Sequence, residues 1–112
     1  MTDDLFANIE VAPNEVKQSL DRGDKLLFVD VREPWEHQLC SIDGSQLMPL
    51  GQIAANLPVF ENAENVIVFC HSGRRSLDAA AWLRAQGISS ARSMAGGIDR
   101  WSREIDPNVP RY

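Results

Sequence analysis

The chain has 112 residues, 44% of them hydrophobic and 24% charged, an ordinary globular balance that argues against wholesale disorder and fits one domain over residues 1–112. Lys plus Arg number 11 and Asp plus Glu 16, giving a net charge of −5. So small a basic footprint argues against nucleic-acid backbones and anionic membrane surfaces as partners. The longest apolar runs, Leu26 to Val29, Val66 to Cys70 and Ala79 to Leu83, fall far short of the ~20 residues a spanning helix needs.

The N-terminal Met1-Thr2-Asp3-Asp4 lacks the positive charge and long apolar stretch of a signal peptide, so the cytoplasm is the expected compartment. Ala12 to Leu20 reads as a short amphipathic helix with Pro13 in its first turn, closed by Asp21 to Asp24. Leu26 to Val31 is a nearly continuous apolar run, the pattern of a strand buried on both faces. A helical turn from Glu33 to Leu39, a turn at Asp43-Gly44, a short strand from Gln46 to Met48 and a short helix from Gln52 to Leu57 follow. Asn65 to Cys70 is the second buried strand, and Arg74 to Gln86, rich in Ala, Leu and Arg, is the strongest helix, stopped by Gly87. Ala91 to Met94 reads as a further parallel strand, Ile98 to Arg103 as a last helix, and Asp106 to Tyr112, with Pro107 and Pro110, as an extended arm. Strands alternating with helices predict an α/β fold around a mainly parallel sheet.

In such sheets ligands bind beyond the carboxyl ends of the strands, where Asp30 and Cys70 should both lie. Cys70-His71-Ser72-Gly73-Arg74-Arg75-Ser76 runs from strand to helix through a glycine able to take positive φ, so successive N–H groups can form an anion cradle. Arg74 and Arg75 stand at a helix start, where the macrodipole is already positive. The simplest compensation is an anion: the Cys70 thiolate, its substrate, or both. A helix N-terminus and neighbouring guanidinium groups favour the thiolate, which makes Cys70 a candidate nucleophile. The charge is also uneven. Residues 1–69 carry 4 − 12 = −8, residues 70–103 carry 6 − 2 = +4, and residues 104–112 carry 1 − 2 = −1. The positive charge thus gathers in the part that begins with Cys70.

The residues that carry this pattern resemble the rhodanese-like domain family, in its single-domain sulfurtransferase form. The likeness runs from about Ile9 to Arg103, leaving 104–112 as a tail. Leu27 to Glu36, with Asp30-Val31-Arg32, is similar to the first motif; Val68 to Ser76 resembles the active-site loop; Met94 to Trp101 resembles the closing Gly-Gly-x-x-x-Trp motif. The resemblance implies a three-layer fold with about five strands and helices on both faces. It also implies a ping-pong sulfurtransferase. Cys70 would accept a sulfane sulfur from a small anionic donor such as thiosulfate and hold it as a persulfide. It would then pass the sulfur to cyanide or a thiol, a protein thiol included. The N–H groups of His71, Ser72, Gly73, Arg74, Arg75 and Ser76 would cradle the terminal sulfur, Arg74 and Arg75 would attract the donor, and Asp30 and Arg32 would support the site. Asp30 and Glu36 are both open as the partner of Arg32. No cofactor or metal is expected, and a monomer or weak homodimer suffices.

Two other readings share this sequence. A rhodanese-like domain can be a non-catalytic binding or regulatory module, although retention of Cys70 and both arginines favours an enzyme. A phosphatase or arsenate reductase of the same fold would have one more residue between Cys and Arg, whereas Cys70 to Arg75 spans six residues inclusive. Ser41, Asp43 and Leu47 depart from the family's usual His, Pro and Asn, which leaves the donor preference open. Cys40 reads as a buried structural cysteine. A thiolate already held by the loop needs no base from His71. Trp101 should pack under the sheet, Trp35 could rim the pocket, and Gly96-Gly97 reads as a backbone turn.

Overall fold

The computed structural model describes Leu5 to Tyr112. Met1 to Asp4, which carry the leader reading and open the 1–112 span, lie outside the described residues. Strand β1 is Glu10–Val11 and helix α1 is Pro13–Arg22. The helix starts one residue later and ends two later than the sequence suggests. Proline at its first position needs no N–H partner, and Gly23, at φ 73°, supplies the left-handed cap. Strand β2 is Leu27–Asp30, helix α2 Pro34–Leu39 and strand β3 Gln46–Leu47. The helix expected over 52–57 is instead two 3₁₀ turns, Leu50–Gln52 and Ala54–Asn56, leading into α3, Leu57–Glu61. Pro58 decides this, because it is accommodated in the first turn of a helix and not in its interior. Strand β4 is Val66–Phe69, helix α4 Arg74–Ala85, strand β5 Arg92–Met94 and helix α5 Gly97–Glu104.

The five strands form one parallel sheet in the order β1-β5-β4-β2-β3. β1 was not anticipated, since two residues are too few to show a period. Period-two alternation sorts the central strands onto two buried faces. Val29, Val66, Val68 and Cys70 join Phe60, Ala80 and Leu83 on the α3/α4 side. Phe28, Ile67 and Phe69 join Val16, Ile98 and Trp101 on the α1/α5 side. Trp101 lies under the sheet as expected, 6.5 Å from Phe28. Burial on both faces accounts for the unbroken apolar runs in β2 and β4.

The topology locates a crevice. From β2 the chain moves outward to β3, then returns to β4 and proceeds the other way to β5. β2 and β4 are therefore neighbours at the point where the strand order reverses, the place where parallel sheets leave an opening at their carboxyl ends. Asp30 closes β2 in register with Phe69, and Cys70 follows directly. No helix among the described residues is long and apolar enough to cross a membrane.

The tail departs from the expected extended arm. It turns at Pro107–Asn108, and Val109 is buried in the α1/α5 cluster. The Asp106 N–H donates to the Trp101 carbonyl at 3.0 Å, and the Ser102 hydroxyl donates to the Val109 carbonyl. These contacts bring Tyr112 back against Arg32, Glu36 and His71 at the carboxyl ends of β2 and β4.

Candidate active site

Cys70 leaves β4 and is 1% exposed. Its Sγ accepts hydrogen bonds from the Gly73 N–H at 3.1 Å and the Ser76 N–H at 3.4 Å, with the Ser76 hydroxyl at 3.5 Å. The loop thus curls around the sulfur, as the spacing from Cys70 to Ser76 implies. Gly73 makes the curl possible. It caps α4 at φ 105°, and a Cβ there would also press on the Gly96 N at 3.2 Å. Ser76 is fully buried and shares a hydrogen bond with the Ser93 hydroxyl of β5 at 2.7 Å, which holds its donor toward the sulfur. Ser93 was missed by the sequence reading. A polar residue inside a three-residue buried strand was its only signal. The Ser72 and Arg74 side chains are exposed, and His71 is half-buried.

Arg75 gives the first correction. The anion that compensates it is neither the thiolate nor a substrate in the first instance but Glu36. Both terminal guanidinium nitrogens donate to the Glu36 carboxylate, at 2.8 and 2.9 Å. The Glu36 side chain is 5% exposed. Hydrogen bonds from Arg75, and then from Tyr112, hold its carboxyl down at about 2 against the opposing cost of burial. Glu36 also accepts the Glu33 N–H at 3.1 Å, so the start of α2 and the end of the loop share one carboxylate. The Arg75 pKa is raised chiefly by Glu36, with a smaller electrostatic contribution from Cys70.

Arg32 takes the other carboxylate. It is fully buried and pairs with Asp30 through Nε at 2.9 Å and Nη2 at 2.7 Å. Nη2 also donates to the Cys40 carbonyl at 2.6 Å, and Nη1 to the Glu36 carbonyl at 3.3 Å. Asp30 accepts in addition from the Arg32 N–H at 3.0 Å and from His37 Nδ1 at 2.8 Å. A buried guanidinium with all its nitrogens engaged fixes the turn after β2 and the course of α2.

The closing glycines do more than turn the chain. A Cβ on Gly97 would strike the carbonyls of Cys70 and His71, and Gly97 sits at φ 59°. That close approach lets the Ile98 N–H donate to the Cys70 carbonyl at 2.9 Å and the Asp99 N–H to the His71 carbonyl at 3.0 Å. The N-terminus of α5 thereby pins the first two residues of the loop. Trp35 is 61% exposed and lies edge-on to Tyr112 at 6.1 Å, and Tyr112 in turn covers His71. Tyr112 was absent from the sequence-based site, because nothing local connects it to residues about forty to eighty positions away. Ser41 and Asp43 line a cavity of about 380 Å³ with Lys17, Leu20 and Trp101. They lie between α1 and α5, away from the loop, whereas Leu47 pairs with Asp30.

Comparison with known proteins follows the same pattern. The rhodanese-like domain family model matches residues 12–104. A protein of Mycobacterium tuberculosis (strain CDC 1551 / Oshkosh), named probable adenylyltransferase/sulfurtransferase MoeZ, is 36% identical over 107 residues, covering 91% of this chain and 26% of that protein. The putative sulfur carrier protein YrkF of Bacillus subtilis (strain 168) is 30% identical over 97 residues, covering 87% of this chain and 52% of its own length. The chain thus spans about a quarter of the first relative and about half of the second. The crystal structure of a rhodanese-like domain protein from Staphylococcus aureus superposes with a TM-score of 0.78 at 28% identity, over 92% of this chain and 97% of that one. With its three motifs, its parallel five-stranded sheet and a family match over nearly its whole length, this chain belongs to the rhodanese-like domain family.

Proposed function

We propose that the protein is a sulfurtransferase that carries a sulfane sulfur as a persulfide on Cys70. The observation that carries this reading is the ring of donors around Sγ, two backbone N–H groups and one hydroxyl within 3.5 Å. Such a ring stabilises negative charge on sulfur without a separate base. The Cys70 thiolate attacks the outer sulfur of thiosulfate. A Cys–S–S bond forms, the sulfur–sulfur bond of the donor breaks, and sulfite leaves with the electron pair. Cyanide or an acceptor thiolate then attacks the outer persulfide sulfur. Thiocyanate or a new persulfide is released, and the Cys70 thiolate returns. The exposed Arg74 draws in the anionic donor. The N–H groups of His71 to Ser76 receive the terminal sulfur, and Asp30 with Arg32 holds the ground beneath them.

Phosphoryl chemistry is less well supported. A phosphate needs a bidentate guanidinium at the end of the loop, and both terminal nitrogens of Arg75 are already engaged by Glu36. Mass spectrometry after incubation with thiosulfate tests the reading, with an expected gain of one sulfur mapped to Cys70. No gain with thiosulfate, mercaptopyruvate or a cysteine-desulfurase donor would overturn it in favour of a binding module.

A further inference from the structure

Tyr112 meets three parts of the site at once. Its ring lies nearly flat on the His71 imidazole, with centroids 4.1 Å apart and planes 13° from parallel. Its hydroxyl donates to Glu36 Oε2 at 2.6 Å and accepts from Arg32 Nη1 at 3.0 Å. Chemistry fixes these directions, because a carboxylate has no proton to give and a guanidinium no lone pair to offer. Burial first, and then the bond to Glu36, push the phenol up to about 12, so it remains a donor throughout the physiological range. The approach is anchored on both sides. Val109 is buried, and Arg111 pairs with Asp99 at 2.9 Å, the residue whose N–H holds the His71 carbonyl.

We propose that Tyr112 is a positioning residue for transfer at Cys70, an inference that rests on the sulfurtransferase reading above. The hydroxyl bridges two ion pairs, Asp30–Arg32 and Glu36–Arg75, that are otherwise joined only through the Glu36 backbone carbonyl. The first fixes the turn after β2. The second holds the residue beside Ser76, whose N–H and hydroxyl face the sulfur. Meanwhile the ring fixes the side chain directly after the nucleophile. α5 secures the backbone of Cys70 and His71 from one side, and Tyr112 secures the His71 side chain and the Glu36–Arg75 pair from the other. The ring and the hydroxyl therefore act on the same donor ring by separable routes. A donor ring displaced by a fraction of an ångström holds the Cys70 thiolate less well, as the nucleophile of the first half-reaction and as the leaving group of the second. The effect should consequently fall on turnover rather than on donor binding.

The experiment compares the full chain with Tyr112→Ala and Tyr112→Phe, using thiosulfate and cyanide. Tyr112→Ala is expected to lower kcat about tenfold while moving the thiosulfate KM less than about twofold. Tyr112→Phe retains the stack and is expected to recover kcat to within about threefold of the parent. In proton NMR, the His71 ring protons should lie upfield through the ring current of Tyr112 in the parent and in Tyr112→Phe, and move downfield in Tyr112→Ala. Parent kcat in Tyr112→Ala overturns the role. So does a loss that merely follows a loss of folded protein in thermal unfolding, whereas a loss shared by folded Tyr112→Phe places the role in the hydroxyl bridge. A parent chain that takes up no sulfur removes the sulfurtransferase reading and the positioning role with it. Parent chemistry with unaffected Tyr112 variants removes the positioning role alone.

Discussion

The two cysteines occupy regions that are equally dry and otherwise unlike. Cys40 is 6% exposed at the end of α2, and Cys70 is 1% exposed at the end of β4. Around Cys40 the backbone does the polar work. Its carbonyl takes Arg32 Nη2, while the thiol has a single long contact to Arg32 Nη1 at 3.8 Å. Around Cys70 the carbonyl is likewise engaged, by the Ile98 N–H, but here the sulfur also accepts from loop N–H groups at 3.1 and 3.4 Å. Burial therefore does not distinguish the proposed nucleophile from a core thiol. What distinguishes them is whether backbone donors are aimed at the sulfur, and that follows from a strand ending at a glycine-capped helix.

The sharpest way to break this contrast is to remove the sulfur itself. Cys70→Ala is expected to abolish sulfur uptake and transfer in a thiosulfate:cyanide assay. It should keep the fold, with a stability change of about 1 kcal/mol from the lost side-chain volume. Residual turnover would place the nucleophile elsewhere.

Next in size is an attack on the scaffold of the Cys70 region. Gly97→Ala puts a methyl group into the Cys70 and His71 carbonyls at a left-handed φ, and nothing in the backbone there can give way cheaply. The expected cost is about 2 kcal/mol or more in denaturant unfolding. Transfer should also fall in the fraction that remains folded, because the loop loses its two bonds from α5. Tolerance of alanine would mean that α5 does not set the loop.

Glu36→Gln tests the link between the two regions, since Glu36 joins α2 to Arg75. It leaves Arg75 without its bidentate partner, at a cost of about 1–2 kcal/mol, less than for a fully buried pair because Arg75 is a third exposed. The pH dependence gives the sign. The folded carboxyl sits at about 2, below its ordinary 4.5, so its stabilisation is complete above about pH 4.5 and is lost as pH falls toward 2. The parent's stability should decline across that window, and the variant's should decline less. Identical acid limbs would show that the pair contributes nothing.

These contrasts also mark what the sequence makes legible. The β4–loop–α4 unit can be read because its signals are adjacent: four apolar residues, a cysteine, a glycine and a strong helix former within twenty positions. The choice of Asp30 for Arg32 and Glu36 for Arg75 cannot be read this way. Glu36 and Arg75 stand 39 positions apart and meet only because β2 and β4 are neighbours in the sheet. β1 escapes because two residues show no period, and Tyr112 because a tail rich in proline looks like an arm until Val109 is seen to be buried. In each case the missing information is tertiary, a pairing that no local propensity encodes.

The smallest expected effect sharpens the comparison from the Cys40 side. Cys40→Ala keeps the backbone carbonyl that receives Arg32 Nη2 and removes only a thiol whose one polar contact is long and weak. The loss of a small buried group should cost about 1 kcal/mol or less, and the transfer rate should stay within about twofold of the parent. Alkylation by iodoacetamide should still proceed at Cys70, at the parent rate. If Cys40→Ala instead lost transfer while remaining folded, the thiol of Cys40 would have to take part in the chemistry. Aimed donors would then no longer separate the two sulfurs. Arg32 is what makes that outcome unfavourable, because its guanidinium is already engaged by Asp30 at 2.7 Å and by the Cys40 carbonyl at 2.6 Å.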